Sequence, residues 1–329
     1  MLHIHNGDSS AASARKANLP GAHLAWREAL ICGPAPGGLI EDEWRRLRAK
    51  HLAAAYDLGV EGCEQDLRKQ DEALSKFSEH EEVVLWFEHD LFCQIHLVYL
   101  LNWFAARESG QTRLSLICIG AFPGIEDFRG LGQLNGEQLA SLVGKRLEVT
   151  PAELELGARA WAAYSSADPG ELVTLLAQDT SALPFLRAAL QKHLARFPSR
   201  RNGLGQIENR ALEFIAGGAV RFGSLFSEFG KAEPIYGLGD EQFMLLLRQL
   251  ASGPEPLLTI ANDGASRGSS EFPGTSLTLT DNGESVLRGD VDQVELNGID
   301  TWLGGVHLTG NDAAWRWDEQ AARLENAKG

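Results

Sequence analysis

Residues 83–90 read Val83-Val84-Leu85-Trp86-Phe87-Glu88-His89-Asp90. Five apolar residues run without a break and stop at three adjacent ionisable ones. The segment Leu91-Phe92-Cys93-Gln94-Ile95-His96-Leu97-Val98-Tyr99-Leu100-Leu101 follows directly. A short unbroken apolar run suits a central strand covered on both faces, and the longer segment suits a buried helix. Strands of that kind belong to parallel sheets, which place ligands at the carboxyl ends of their strands. The pattern predicts an interior strand over 83–87 with Glu88, His89 and Asp90 at its functional end. Gln94 lies one helical turn further on.

The segments around this strand extend the same plan. Leu2-His3-Ile4-His5 predicts a short strand, stopped by Asn6-Gly7-Asp8-Ser9-Ser10, with Ser9 or Asp8 capping a helix over 11–17. Residues 22–26 predict a second strand that runs into Arg27-Glu28. Gly33-Pro34-Ala35-Pro36-Gly37-Gly38 is a loop by composition. Residues 40–77 predict two surface helices broken near Gly59 and Gly62, and residues 113–119 another strand. Strand and helix alternate, so the fold class expected is α/β: an open, mainly parallel sheet with flanking helices.

After Gly130 the strand signals vanish, and helices are expected over 137–143, 152–164, 170–176 and 183–197. A boundary follows at Phe197-Pro198-Ser199-Arg200-Arg201-Asn202-Gly203. Three short helices (206–216, 223–229, 240–252) and two strands (257–260, 276–279) around a Gly/Ser-rich loop give the order of a winged helix. The division expected is an α/β ligand-binding or catalytic domain over 1–125 and a helical linker domain over 126–200. A winged-helix-like domain with extra C-terminal strands is expected over 201–329. Gly130-Leu131-Gly132-Gln133-Leu134 and Gly203-Leu204-Gly205-Gln206-Ile207 echo each other over too few residues to indicate duplication.

Composition limits the partners. The 329 residues carry a formal net charge of −15, which disfavours general affinity for nucleic acid or anionic membrane. On the expected recognition helix, Asp240 and Glu241 face the single cation Arg248. At the wing tip Arg267 is opposed by Asp263 and Glu271. Nucleic acid is therefore not an expected partner, and the module reads as a packing or protein-contact element, with protein as the partner it could take. Four scattered cysteines, no leader-like N-terminus and no apolar stretch of spanning length predict a reduced cytoplasmic protein, with no membrane partner.

Three clusters fall at the ends of expected strands: Asn6, Gly7, Asp8, Ser9 and Ser10; Arg27 and Glu28; and Glu88, His89, Asp90 and Gln94. If the strands are parallel neighbours, these clusters converge on one rim. Glu88, His89, Asp90 and Asp8 are the candidates for acid/base work. Asn6, Gly7, Ser9, Ser10, Arg27, Glu28 and Gln94 are the candidates for holding a small phosphate- or carboxylate-bearing ligand. The structural reading stands beside this one: Asp8, Ser9 and Asp90 as helix caps, and Arg27 paired with Glu28 or Glu88. Whether the rim catalyses or only senses a ligand stays open.

Other chemistries leave weaker traces. Gly7-Asp8-Ser9 superficially resembles the opening of the GDSL-type hydrolases, but the Asp-x-x-His these also need is missing. His5, Asp8, Glu88, His89 and Asp90 contain enough N and O atoms for zinc, manganese or iron. Neither H-E-x-x-H nor Cys/His spacing accompanies them, and no metal ligand is assigned. Without G-x-x-x-x-G-K-[ST] or G-x-G-x-x-G, obligatory ATP, NAD or FAD is disfavoured, and the cofactor is left unknown.

With these segments placed, the chain resembles a bacterial family catalogued as domain of unknown function 1835. Leu2-His3-Ile4-His5-Asn6-Gly7-Asp8-Ser9, Trp26-Arg27-Glu28-Ala29-Leu30 with Gly33-Pro34, and Leu85 to Gln94 carry the resemblance, over roughly the first third. Asp179-Thr180-Ser181-Ala182-Leu183-Pro184-Phe185 and the tail from Asn297 to Leu308 extend it. The resemblance implies the same domain order and brings no activity with it.

Overall fold

The computed structural model describes residues 1–108, 110–262, 272 and 274–326. It divides into two compact units. Residues 1–190 with 304–306 form the first, and residues 191–303 with 307–329 the second.

The first unit is an α/β layer structure. Its elements are β1 (Leu2–His5), α1 (Asp8–Lys16), β2 (Ala22–Ala25), α2 (Glu41–Tyr56), α3 (Val60–Ser75), β3 (Glu82–Glu88), α4 (Leu91–Ala105) and β4 (Arg113–Ile119). There follow α5 (Gly136–Val143), β5 (Leu147–Glu148), α6 (Pro151–Tyr164), α7 (Gly170–Leu176) and the start of α8 (Leu186–Leu194). The five strands stand in the order β2-β1-β3-β4-β5. All are parallel except β5, which pairs antiparallel with β4.

The 83–87 run is the interior strand β3, paired with Leu2–His5 on one side, and every residue from Glu82 to Glu88 is buried. One sheet face packs Val84, Trp86 and Ile117 against Phe128, Leu131, Leu134, Leu139 and Leu142. Near the other, α4 is apolar almost all round, as a helix covered on all sides must be. Gly157 lets α6 approach it: a Cβ there would stand 2.4 Å from Leu101 Cβ.

Local expectations differ from the structure in three places. The break between α2 and α3 runs from Asp57, which takes a left-handed conformation, to Gly59, the N-cap of α3, as expected, but Gly62 lies inside α3. The N-cap of α1 is Gly7, with Asp8 already in the first turn. The two-residue strand β5 follows Gly130, too short to leave an alternating pattern.

The second unit holds α9 (Gln206–Ala216), α10 (Phe222–Ala232), α11 (Asp240–Leu250), β6 (Leu258–Asn262), β7 (Thr275–Leu279), α12 (Asp281–Arg288) and α13 (Gln293–Asn297). β8 (Ile299–Leu303), β9 (Val306–Gly310, of which Val306 counts with the first unit), β10 (Trp315–Asp318) and β11 (Arg323–Asn326) follow. The small sheets are β6-β7 and β10-β11, both antiparallel, and β8-β9. Arg221 bridges antiparallel to Ser276. Arg267, Asp263 and Glu271 lie outside the described residues. Among the described residues, no helix is long and apolar enough to cross a membrane.

Candidate functional site

In the order β2-β1-β3-β4, the chain leaves β1 toward one edge of the sheet and leaves β3 toward the other. The two departures open a crevice between the carboxyl ends of β1 and β3, where ligands of open α/β sheets bind. A cavity of about 350 Å³ lies there, lined by Asn6 to Ser10 after β1, by Glu88 at the end of β3, and by Arg129, Gly130, Gly132 and Gln133.

The floor is a hydrogen-bonded network around Glu88, which is 5% exposed. Asn6 Nδ2 donates to Glu88 Oε2 at 2.8 Å, and Ser10 Oγ donates to Asn6 Oδ1 at 2.6 Å. The Cys93 thiol donates to the same Oε2 at 3.0 Å, and the Leu131 amide donates to Oε1. Behind it, Asp90 caps α4, its Oδ1 accepting from the Cys93 amide at 2.8 Å. Gln94 Nε2 donates to the Glu88 carbonyl at 2.7 Å and so fixes the strand end. Gly130 permits the closure: a Cβ there would stand 2.8 Å from Glu88 Oε1.

Burial dominates the electrostatics of this floor. It pushes the Glu88 carboxyl above the ordinary carboxylate range, against the hydrogen bonds from Cys93 and Leu131. Burial, and then the charge of Glu88, push Asp90 up to about 7. The Cys93 thiol is also pushed well up by burial, so it is a donor here rather than a nucleophile.

The rim carries the positive end. Amides in the first turn of a helix have no intrahelical partner, and no side chain caps α1. Arg129 is exposed, and among the described residues its guanidinium has no hydrogen-bond or ion-pair partner. Asp8 is neutralised by Arg27, whose Nε and Nη2 reach its two oxygens at 2.8 and 2.7 Å. That hydrogen bond holds the Asp8 carboxyl below its usual range.

The candidate residues sort by place. Asn6, Gly7, Asp8, Ser9, Ser10 and Glu88 line the crevice; Asp90 and Gln94 support it from behind. Arg27 reaches it only through Asp8, not through Glu28 or Glu88, and itself lines a separate cavity beside β2. Glu28 is a core residue, paired with fully buried Arg48 at 2.6 Å. Burial alone would raise its pKa, but the Arg48 charge and hydrogen bonds outweigh it and hold Glu28 in the charged form. His89 lies against Phe185 rather than in the crevice lining. His96 is a satisfied core histidine, accepting from the Leu30 amide at 3.4 Å and donating to the Phe92 carbonyl at 2.7 Å.

Sequence reasoning missed the wall from Arg129 to Gln133. Its signal was the pair Gly130 and Gly132 around Leu131, noted only as an echo. Glu88, Asp90 and Cys93 bring ligand atoms within 4.8 Å of one another, the spacing of a metal group. Yet Asn6 and Leu131 aim N–H groups at the Glu88 oxygens, which suits a carboxyl network and opposes a cation. In comparisons with known proteins, no family model and no curated relative matches the chain.

Proposed function

We propose that the protein binds a small anionic ligand, bearing a phosphate or a carboxylate, in the crevice between β1 and β3. The observation that carries this reading is the pairing of the Arg129 guanidinium, without a partner among the described residues, with the uncapped start of α1 across one cavity. Helix N-termini and guanidinium groups favour oxyanions for the same electrostatic reason. The acids present do not cancel it, since Arg27 neutralises Asp8 and burial favours the neutral form of Glu88. Glu88 at the floor is placed for proton exchange with whatever sits above it. The resemblance to domain of unknown function 1835 is kept as part of this proposal, because the motifs that carry it supply Asn6 to Ser9 and Glu88.

A second reading rests on the second unit. Its order of three helices, hairpin and helix, with Arg221 bridged to Ser276, supports a winged-helix-like module. Under that reading the protein is a cytoplasmic regulator or adaptor, and the crevice senses the ligand without transforming it. With Asp240 and Glu241 opening α11, the module's partner is protein rather than DNA.

Thermal unfolding of the full chain with inorganic phosphate, and separately with small dicarboxylates, tests the first reading. A midpoint that rises with ligand concentration in wild type but not in Arg129→Gln supports it. No response to either class sinks it. Product formed from the binding class of compound separates enzyme from sensor.

A further inference from the structure

The two buried carboxyl groups at the crevice floor have neighbours of one kind. Around Glu88 are the Asn6 amide after β1, the Cys93 thiol on α4 and the Leu131 N–H from the opposite wall. Around Asp90 are the Cys93 amide and the His89 side chain next to it in the chain. Cys118 on β4 is near both, its thiol pushed up to about 12 by burial. Among the described residues, no lysine or arginine pairs with either carboxyl. Two buried carboxyl groups this close, with no cation between them, cannot both ionise cheaply.

We propose that Glu88 and Asp90 work as one acid that shares a single proton, and that an oxyanion entering the crevice is bound together with a second proton taken up by the pair. This rests on the anion reading above and adds the proton to it. Before binding, the pair carries one negative charge. An oxyanion beside it raises its proton affinity, and a proton from solvent bonds to a carboxyl oxygen without any other bond breaking. Glu88 then donates a hydrogen bond to the anion instead of repelling it. Oε1 is the oxygen suited to this. It uses one acceptor position for Leu131 N–H and keeps a second, and the lack of a side chain at Gly130, whose Cβ would stand 2.8 Å from this oxygen, leaves room beside it. The upward shifts of both groups agree with the sharing.

Two measurements on the full chain test the proposal, and the first needs no ligand. Infrared titration of the protonated carboxyl band from about pH 5 to about pH 9 should show a carboxyl proton leaving well above the ordinary carboxylate range. Glu88→Gln should move the remaining Asp90 titration down by about one unit or more, and Asp90→Asn should do the same for Glu88. The double variant should lose the part of the band that Glu88 and Asp90 supply, leaving only the signal of Glu208 and Asp71, whose carboxyls burial also pushes up. Unshifted titration in both single variants, or full ionisation of wild type by pH 6, overturns the shared proton. If a variant does not fold, the wild-type titration still decides the latter point.

The second is calorimetry of inorganic phosphate binding in two buffers of different ionisation enthalpy. Uptake of about half a proton or more per phosphate, lost in the double variant, is the expected result. Binding without uptake overturns the coupling while leaving the anion reading intact. A high-titrating carboxyl with no phosphate or carboxylate binding overturns the anion reading and the coupling, and leaves only the shared proton.

Discussion

Asn6 donates its side-chain amide to Glu88 at 2.8 Å, and so joins the ends of two parallel strands whose residues are 82 positions apart in the chain. Its carbonyl oxygen meanwhile accepts from Ser10 in the first turn of α1. One side chain thus ties one wall of the crevice to its floor. Asn6→Ala should cost about 1–3 kcal/mol, the range for leaving a buried polar group without its partner. Urea unfolding checks this, and a change within about 0.5 kcal/mol would show that the link is incidental.

Glu28 was a candidate ligand by position and is a structural residue by contact. Arg48, fully buried, donates to both of its oxygens and to the carbonyls of Ala29, Cys32 and Pro34. Arg48→Met alone should destabilise by about 3–5 kcal/mol, because it leaves a buried charge unpaired. Removing both charges together, with Glu28→Gln, should cost less than the sum of the single changes. Additive costs in denaturant unfolding would mean that the two groups do not depend on each other.

Acid should destabilise the fold through its histidines. Burial holds His5 down to about 3 and His3, His51 and His96 down to about 4. Unfolded, each takes a proton near 6.5, so between about pH 6.5 and about pH 4 the unfolded state binds more protons. Stability falls as pH falls through that window. Glu88 and Asp90 act in the opposite sense. Their folded pKa values are raised, so their contribution is full below the unfolded values and is lost as pH rises toward about 7. Urea midpoints from pH 7 to pH 4 should therefore drop more steeply in Glu88→Gln/Asp90→Asn than in wild type. A midpoint that stays flat in that variant contradicts the assignment.

Gly157 sets the distance between α6 and α4. Because a Cβ there would stand 2.4 Å from Leu101 Cβ, Gly157→Ala should destabilise by about 1–3 kcal/mol through overpacking, despite the better helix propensity of alanine. A neutral or stabilising effect in thermal unfolding would place the two helices further apart than described.

The sheet was legible because burial on both faces writes itself into consecutive apolar residues. Residues 83–87 could hardly be anything but an interior strand. The position of Glu88 and of Asn6 to Ser10 at strand ends followed from that alone. Partners were not legible, since charge and strand end look alike for Arg27, Glu28 and Asp8. Only the fold shows that Arg27 takes Asp8 while Glu28 turns inward to an arginine on α2. The wall from Arg129 to Gln133 was hidden for another reason. It lies outside any periodic element, and its glycines matter only because a carboxylate arrives there from 42 residues upstream of Gly130.

The central claim is that an oxyanion sits between the start of α1 and Arg129. Amide NMR of the full chain during titration with inorganic phosphate tests this most directly. The account predicts saturable shifts at Ser9, Ser10, Gly130 and Leu131. It also predicts that Arg129→Gln weakens the affinity by about tenfold or more, the loss of one charge-assisted hydrogen bond, while leaving the thermal midpoint of the free protein unchanged. Shifts confined to other residues, or an affinity untouched by Arg129→Gln, would contradict it.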